Sequence, residues 1–162
     1  MFFWRKKSDK NKSRAAGSQV NNDVRTVTEV NNEVFGRLEY EYVWKGNMYL
    51  EFFGKKYTVV VLIDTEDYEP VEPEQEEAFR EYLSRKEELD ALIASELRKG
   101  YGLDESFDLW DRFEFNKILI HSGGDFGFSF IDHNAPEGRS DRDIVVTVIP
   151  EVSYFSSEED FF

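Results

Sequence analysis

The sequence predicts an α+β domain: an antiparallel sheet built as three strands, one long helix and three further strands, with the helix packed on one face. Two blocks of strand patterning, 34–63 and 113–149, part alternating and part β-branched runs, flank a single stretch of helical periodicity over 73–100. Hydrophobic residues make up 40% of the 162-residue chain, with 15 Phe, 8 Tyr and 3 Trp, which is too apolar and too aromatic for a wholly disordered protein. No apolar run reaches the roughly 18–20 residues of a membrane span.

The opening segment, 1–32, predicts a basic tail with a short edge strand at Thr26–Val30. It carries seven basic and three acidic residues, a net +4, so that 33–162 must hold −18 of the total −14. Ser8 to Gly17 has the composition of a linker. The single domain is expected over 33–155, followed by an acidic and aromatic tail over 156–162.

Val34, Leu38, Tyr40 and Tyr42 alternate with Arg37, Glu39 and Glu41, the pattern of a half-buried strand. Lys45-Gly46-Asn47 supplies turn chemistry. Met48, Leu50 and Phe52 mark the returning strand, and Gly54-Lys55-Lys56 turns the chain again. Tyr57 to Ile63 is β-branched and apolar on both faces, as a central strand requires. Pro73 with Glu74, Glu76 and Glu77 then predicts a helix start, because proline suits the first turn and carboxylates favour the positive end of the helix dipole. Phe79, Tyr82, Leu83, Leu89, Leu92, Ile93 and Leu97 recur at helical spacing, and Arg98-Lys99-Gly100 reads as the stop. About 27 residues at about 1.5 Å each predict one helix near 40 Å long. Asp104–Asp111 suggests a short helix. Strands are expected over Phe113–Ile120, over Phe126–Phe130 after the Gly123-Gly124 turn, and over Ile144–Ile149.

Zero cysteines exclude disulfides, zinc–thiolate sites, Fe–S clusters and cysteine nucleophiles. A net charge of −14 argues against nucleic acid as a partner. Gly123-Gly124-Asp125-Phe126-Gly127 contains the Asp-Phe-Gly string of protein kinases, but neither a glycine-rich nucleotide loop nor a catalytic loop accompanies it. No cofactor is implied.

Three functional readings come from the residues. The first is a non-enzymatic protein-binding module that uses a polarised acidic face to steer a basic partner. Glu66, Asp67, Glu69, Glu72, Glu74, Glu76 and Glu77 form its expected contact set, since they share one loop and one helix start. The second is a small metal-assisted hydrolase using His121, Asp125, Asp132 and His133, a mixed nitrogen–oxygen donor set within thirteen residues. The third is a scaffold at the inner membrane face, with Phe2, Phe3 and Trp4 entering the interface and Arg5, Lys6 and Lys7 meeting anionic lipid. A cytoplasmic protein, peripheral to the membrane at most, fits all three.

Phe35-Gly36-Arg37-Leu38, Trp44, Phe53-Gly54 and Gln75 at the head of an acidic helix resemble, over roughly 34–99, a bacterial group of small domains of unknown function encoded near secreted polymorphic toxins. The resemblance implies an immunity protein that caps a basic toxin domain. It carries over no catalytic residue.

Overall fold

A computed structural model describes residues 28–139 and 142–155. Phe2, Phe3, Trp4, Arg5, Lys6 and Lys7, together with the tail 156–162, lie outside the described residues.

Among the described residues, eight strands form one sheet in strict chain order, and the sheet is mixed. They are β1 (Glu29–Asn32), β2 (Gly36–Tyr40), β3 (Trp44–Phe52), β4 (Lys55–Ile63), β5 (Phe113–Ile120), β6 (Phe126–Asp132), β7 (Asp143–Ile149) and β8 (Ser153–Phe155). The expected antiparallel sheet of three strands, a helix and three strands is therefore wrong: four described strands precede the helices and four follow them, and β4 and β5 are parallel, in register from Val60↔Lys117 to Ile63↔Ile120. The reason lies in the connection. Its helices carry the chain back across the sheet, so β5 starts at the same end as β4, as a strand–helix–strand crossover requires. The edge strand predicted at Thr26–Val30 overlaps β1 at Glu29 and Val30.

One long helix was also the wrong expectation. The segment forms two shorter helices, α1 (Pro73–Ser84) and α2 (Lys86–Tyr101), broken at Arg85 with φ −115° and ψ 20°. Neither glycine nor proline marks the break. The Ser84 hydroxyl donates back to the Glu81 carbonyl at 2.7 Å, a local bond that competes with the helical ladder. The Arg85 N–H is shared between the Glu81 and Tyr82 carbonyls, both at 3.1 Å. The break rotates the apolar stripe, leaving Leu83 and Leu92 exposed while Phe79, Tyr82, Leu89, Ile93 and Leu97 are buried. Nor does the chain stop at Gly100. The α2 helix runs on to Tyr101 and ends at Gly102, whose φ of 63° allows Leu103 N–H to reach the Arg98 carbonyl at 2.9 Å. Gly100 instead sits under Tyr154, where an added Cβ would lie 2.9 Å from the ring.

Both helices lie on one face of the sheet. Phe79 and Tyr82 meet Phe126 and Phe128, with Tyr82 and Phe128 centroids 5.0 Å apart. Phe52, Phe115, Phe128 and Phe130 continue the layer, and Trp110 of the short 3-10 helix Leu109–Asp111 closes it edge-on to Phe52 at 4.9 Å. Each such ring contributes about 1.5–3 kcal/mol by burial, so this aromatic layer dominates the core. Beneath it, Tyr82 donates to Asp90 at 2.8 Å, and Asp90 also pairs with Lys86.

Candidate functional site

The connection between β4 and α1 brings most of the expected acidic set to one end of the sheet. Gln75 organises it. The side chain is fully buried; its amide Nε2 donates to the carbonyls of Asp64 at 2.6 Å and His121 at 3.0 Å, and its Oε1 accepts from Glu72 N–H at 2.9 Å. These carbonyls follow the ends of the parallel strands β4 and β5, so one neutral side chain ties both strand ends to the helix start. The Glu72 carboxylate accepts from Ser122 Oγ at 2.9 Å and from Gly123 N–H at 2.8 Å. Gly124, at φ +93°, abuts the Glu74 carbonyl so closely that a Cβ would lie 2.7 Å from it. The first turn of α1 is thus seated on the 121–124 turn, and that turn closes its amino end.

Above this seat, the Glu66–Glu69 loop is held from within. Glu69 N–H donates to the Glu66 carbonyl at 2.9 Å, while the Glu69 carbonyl accepts from Trp44 Nε1 at 2.7 Å and from Thr65 Oγ1 at 3.2 Å. Tyr68 sits at its tip with φ 59°, a backbone region that non-glycine residues seldom occupy. Its ring packs against Tyr40, tilted by 39° with centroids 4.3 Å apart, and the residue is 47% exposed. Tyr40 in turn meets Trp44 edge-on at 5.2 Å, and its buried hydroxyl has no hydrogen-bond partner among the described residues. Beside Tyr68 runs a groove of about 530 Å³ lined by Val30, Trp44, Pro70 and Val71 among others.

The seven expected contact residues therefore divide. Glu72 is anchored on the 122–123 turn, and Glu76 on Asn32 Nδ2 at 2.8 Å and on Arg80 at 2.9 Å. Glu66, Asp67, Glu69, Glu74 and Glu77 are exposed, with no pairing cation among the described residues. Sequence reasoning missed Tyr68, Tyr40 and the groove. The signal was present in Tyr68 itself, a large aromatic inside an otherwise polar connection.

The histidine and aspartate set does not assemble. The register places His121 and Asp125 at one end of the β5–β6 hairpin and Asp132 and His133 at the other. Six steps along β6 at about 3.4 Å each separate the ends by about 20 Å. His121 Nδ1 lies 3.9 Å from Asp64, and His133 Nε2 pairs with Glu114 at 2.8 Å. Asp132 is held by Arg112 through two bonds of 2.9 and 2.7 Å. Burial would raise its carboxyl, but the Arg112 guanidinium and the Asn134 N–H more than offset this and hold it below the usual carboxylate range. Among the described residues, no group of three or more His, Asp or Glu is placed to hold a metal ion. None of the described helices is long and apolar enough to cross a membrane.

Residues 34–117, which are 84 of the 162, match the family described as a domain of unknown function (DUF6985). The chain belongs to the DUF6985 family. No curated protein and no solved structure matches it. The DUF6985 segment contains the Tyr68 loop, both helices and Gln75, but ends inside β5. The 121–124 turn on which Glu72 and Gly124 seat the helix lies beyond it.

Proposed function

We propose that this domain is a non-enzymatic protein-binding module whose partner is basic, and that the acidic ledge around Tyr68 is its docking surface. A secreted toxin domain is the partner class the sequence resemblance puts first, which makes immunity the biological outcome. One observation carries the reading: a hydrogen-bonded loop holds an exposed aromatic at positive φ, against a second aromatic and beside an apolar groove, within a rim of carboxylates that have no pairing cation among the described residues. That combination of apolar centre and charged rim is how protein interfaces divide their labour. Aromatic anchors supply burial, while the carboxylates raise the encounter rate with a basic surface. Capping would then act by covering the partner's own site, with no chemistry required of this chain.

Co-expression with the toxin-like carboxy-terminal region of a neighbouring gene product tests this, scored as survival of a sensitive host. Specific rescue together with a stable complex is expected. Killing that proceeds equally with the protein present overturns the toxin assignment. Rescue that survives both Tyr68→Ala and reversal of Glu66, Asp67, Glu69 and Glu77 to Lys overturns the ledge as the docking surface.

A further inference from the structure

The acidic ledge borders a strand edge. Among the described residues β1 is the last strand on its side of the sheet and pairs only with β2. Tyr40 N–H donates to the Thr28 carbonyl at 2.9 Å, and the register carries that pairing along β1 in steps of two. Val30 therefore directs its N–H and C=O at β2, while those of Glu29 and Asn31 point the other way. No hydrogen bond among the described residues takes them. Side chains alternate by face in the same rhythm: Val30 packs against the core beside Leu38, and Glu29 and Asn31 are exposed on the outer face. Asn32 fixes the strand to the helix start. Its Nδ2 donates to Glu76 at 2.8 Å, and its Oδ1 accepts from Val34 N–H at 2.8 Å and Phe35 N–H at 3.0 Å. The groove beside Tyr68 is lined along β1 by residues 30–33 in succession and from above by Tyr68, Pro70 and Val71. Asn31 lines it although its side chain belongs to the outer face, so the groove extends to the strand's edge.

We propose that the basic partner binds here as an added strand: an extended segment that pairs with the outward backbone groups of Glu29 and Asn31 and sets an apolar side chain into the groove between Val30 and Tyr68. This deepens the reading of the ledge as a docking surface and rests on it. Strand addition takes its affinity from main-chain hydrogen bonds and its selectivity from pockets for alternate side chains, and this edge offers both. Charge sets the chemistry of the segment. The groove's lining includes Glu33 and Glu76 and no cation, and Glu33 is exposed with no pairing cation among the described residues. Residues two apart on one face of a strand are about 6.8 Å apart, so a basic side chain two places from the apolar one falls toward Glu33. The segment thus alternates, with apolar and basic side chains on the groove face. A second copy is disfavoured, because edge-to-edge pairing of two β1 strands would bring Glu29 and Glu33 of each close to those of the other.

Amide hydrogen exchange of the full chain, titrated with a short capped peptide of alternating valine and lysine, tests this. In the free protein the Val30 amide should exchange slowly and those of Glu29 and Asn31 fast. The peptide should slow Glu29 and Asn31 at least about tenfold, and the same peptide with glutamate in place of lysine should not. Asn31→Pro removes one outward N–H and no bond to β2, a change that edge strands tolerate. It should weaken peptide binding about tenfold, while Asn31→Ala, which keeps that N–H, stays within about twofold. If Asn31→Pro does not fold, exchange in the unaltered chain decides alone. Shifts of the Tyr68 loop amides with Glu29 and Asn31 still fast leave the ledge as the docking surface and overturn the added strand. Shifts at neither place overturn both. Slow exchange at Glu29 and Asn31 in the free protein assigns the edge to residues 1–27 where it is independent of protein concentration, and to a second copy where it is not; either overturns the proposal.

Discussion

The two ends of the β5–β6 hairpin are built on opposite electrostatics. At the end where β4 and β5 finish, a neutral buried amide ties the two strand ends to the helix start, Glu72 and Glu76 are anchored, and five further carboxylates stand without a pairing cation among the described residues. At the other end, structure is made with charge: Arg112 grips Asp132 and lies over the Tyr101 ring at 4.4 Å, His133 meets Glu114, and Arg98 donates to the carbonyls of Asp104 and Phe107. The difference teaches where binding is available. Charge that is already compensated has little left for a partner, while charge left over around an aromatic tip supplies steering and anchoring together.

The largest expected effect breaks the charged end. Arg112→Met strips a nearly buried carboxylate of its partner and should lower stability by about 3–5 kcal/mol in denaturant titration. Asp132→Asn separates charge from shape through pH. The folded Asp132 pKa lies below the unfolded 3.8, so its contribution is present above that value and is lost as pH falls through the folded pKa. The stability gap between the wild-type protein and this variant should therefore be full at neutral pH and close below about pH 3.8; a gap that ignores pH contradicts the ion pair.

At the neutral end, Gly123 and Gly124 make a matched pair. Both have positive φ, of 84° and 93°, but only at Gly124 would a Cβ meet the Glu74 backbone. Alanine at Gly124 should cost about 1–3 kcal/mol more than alanine at Gly123, the excess measuring how tightly α1 is seated. Smallest of all is the change in stability on reversing Glu66, Asp67, Glu69 and Glu77 to Lys, within about 0.5 kcal/mol per site, because none holds the fold. The same variant should slow association with a basic partner severalfold at low salt, an effect that fades as salt is added.

Much of this fold was legible as strands. The alternations around Leu38, Leu50, Phe115 and Phe128 and the β-branched run around Val146 mark strands, and each lies within one. The sheet's direction was not legible from those elements taken singly, because parallel pairing of β4 and β5 is a property of the connection. The break at Arg85 lacks a glycine or proline, and it arises from backbone bonds shared around Ser84. Nearness along the chain misled most at His121 and His133: the alternation that reveals β6 also implies that a strand's length separates them. Gln75 was visible as a helix-start residue, but its hold on two distant carbonyls depends on the crossover. The acidic set was legible as a cluster, whereas its division into anchored and free members follows only from the 121–124 turn.

Photo-crosslinking from Tyr68 tests the central claim most directly, with Tyr49 as the control because it is 86% exposed on the outer face of β3, away from the ledge. A photoreactive phenylalanine analogue at each position, in cells that make the partner, should give an adduct with one basic protein from position 68 and none from position 49. That adduct should disappear when Glu66, Asp67, Glu69 and Glu77 are reversed. Equal capture from both positions, or an adduct at 68 that survives the reversal, would contradict a docking surface at the acidic ledge.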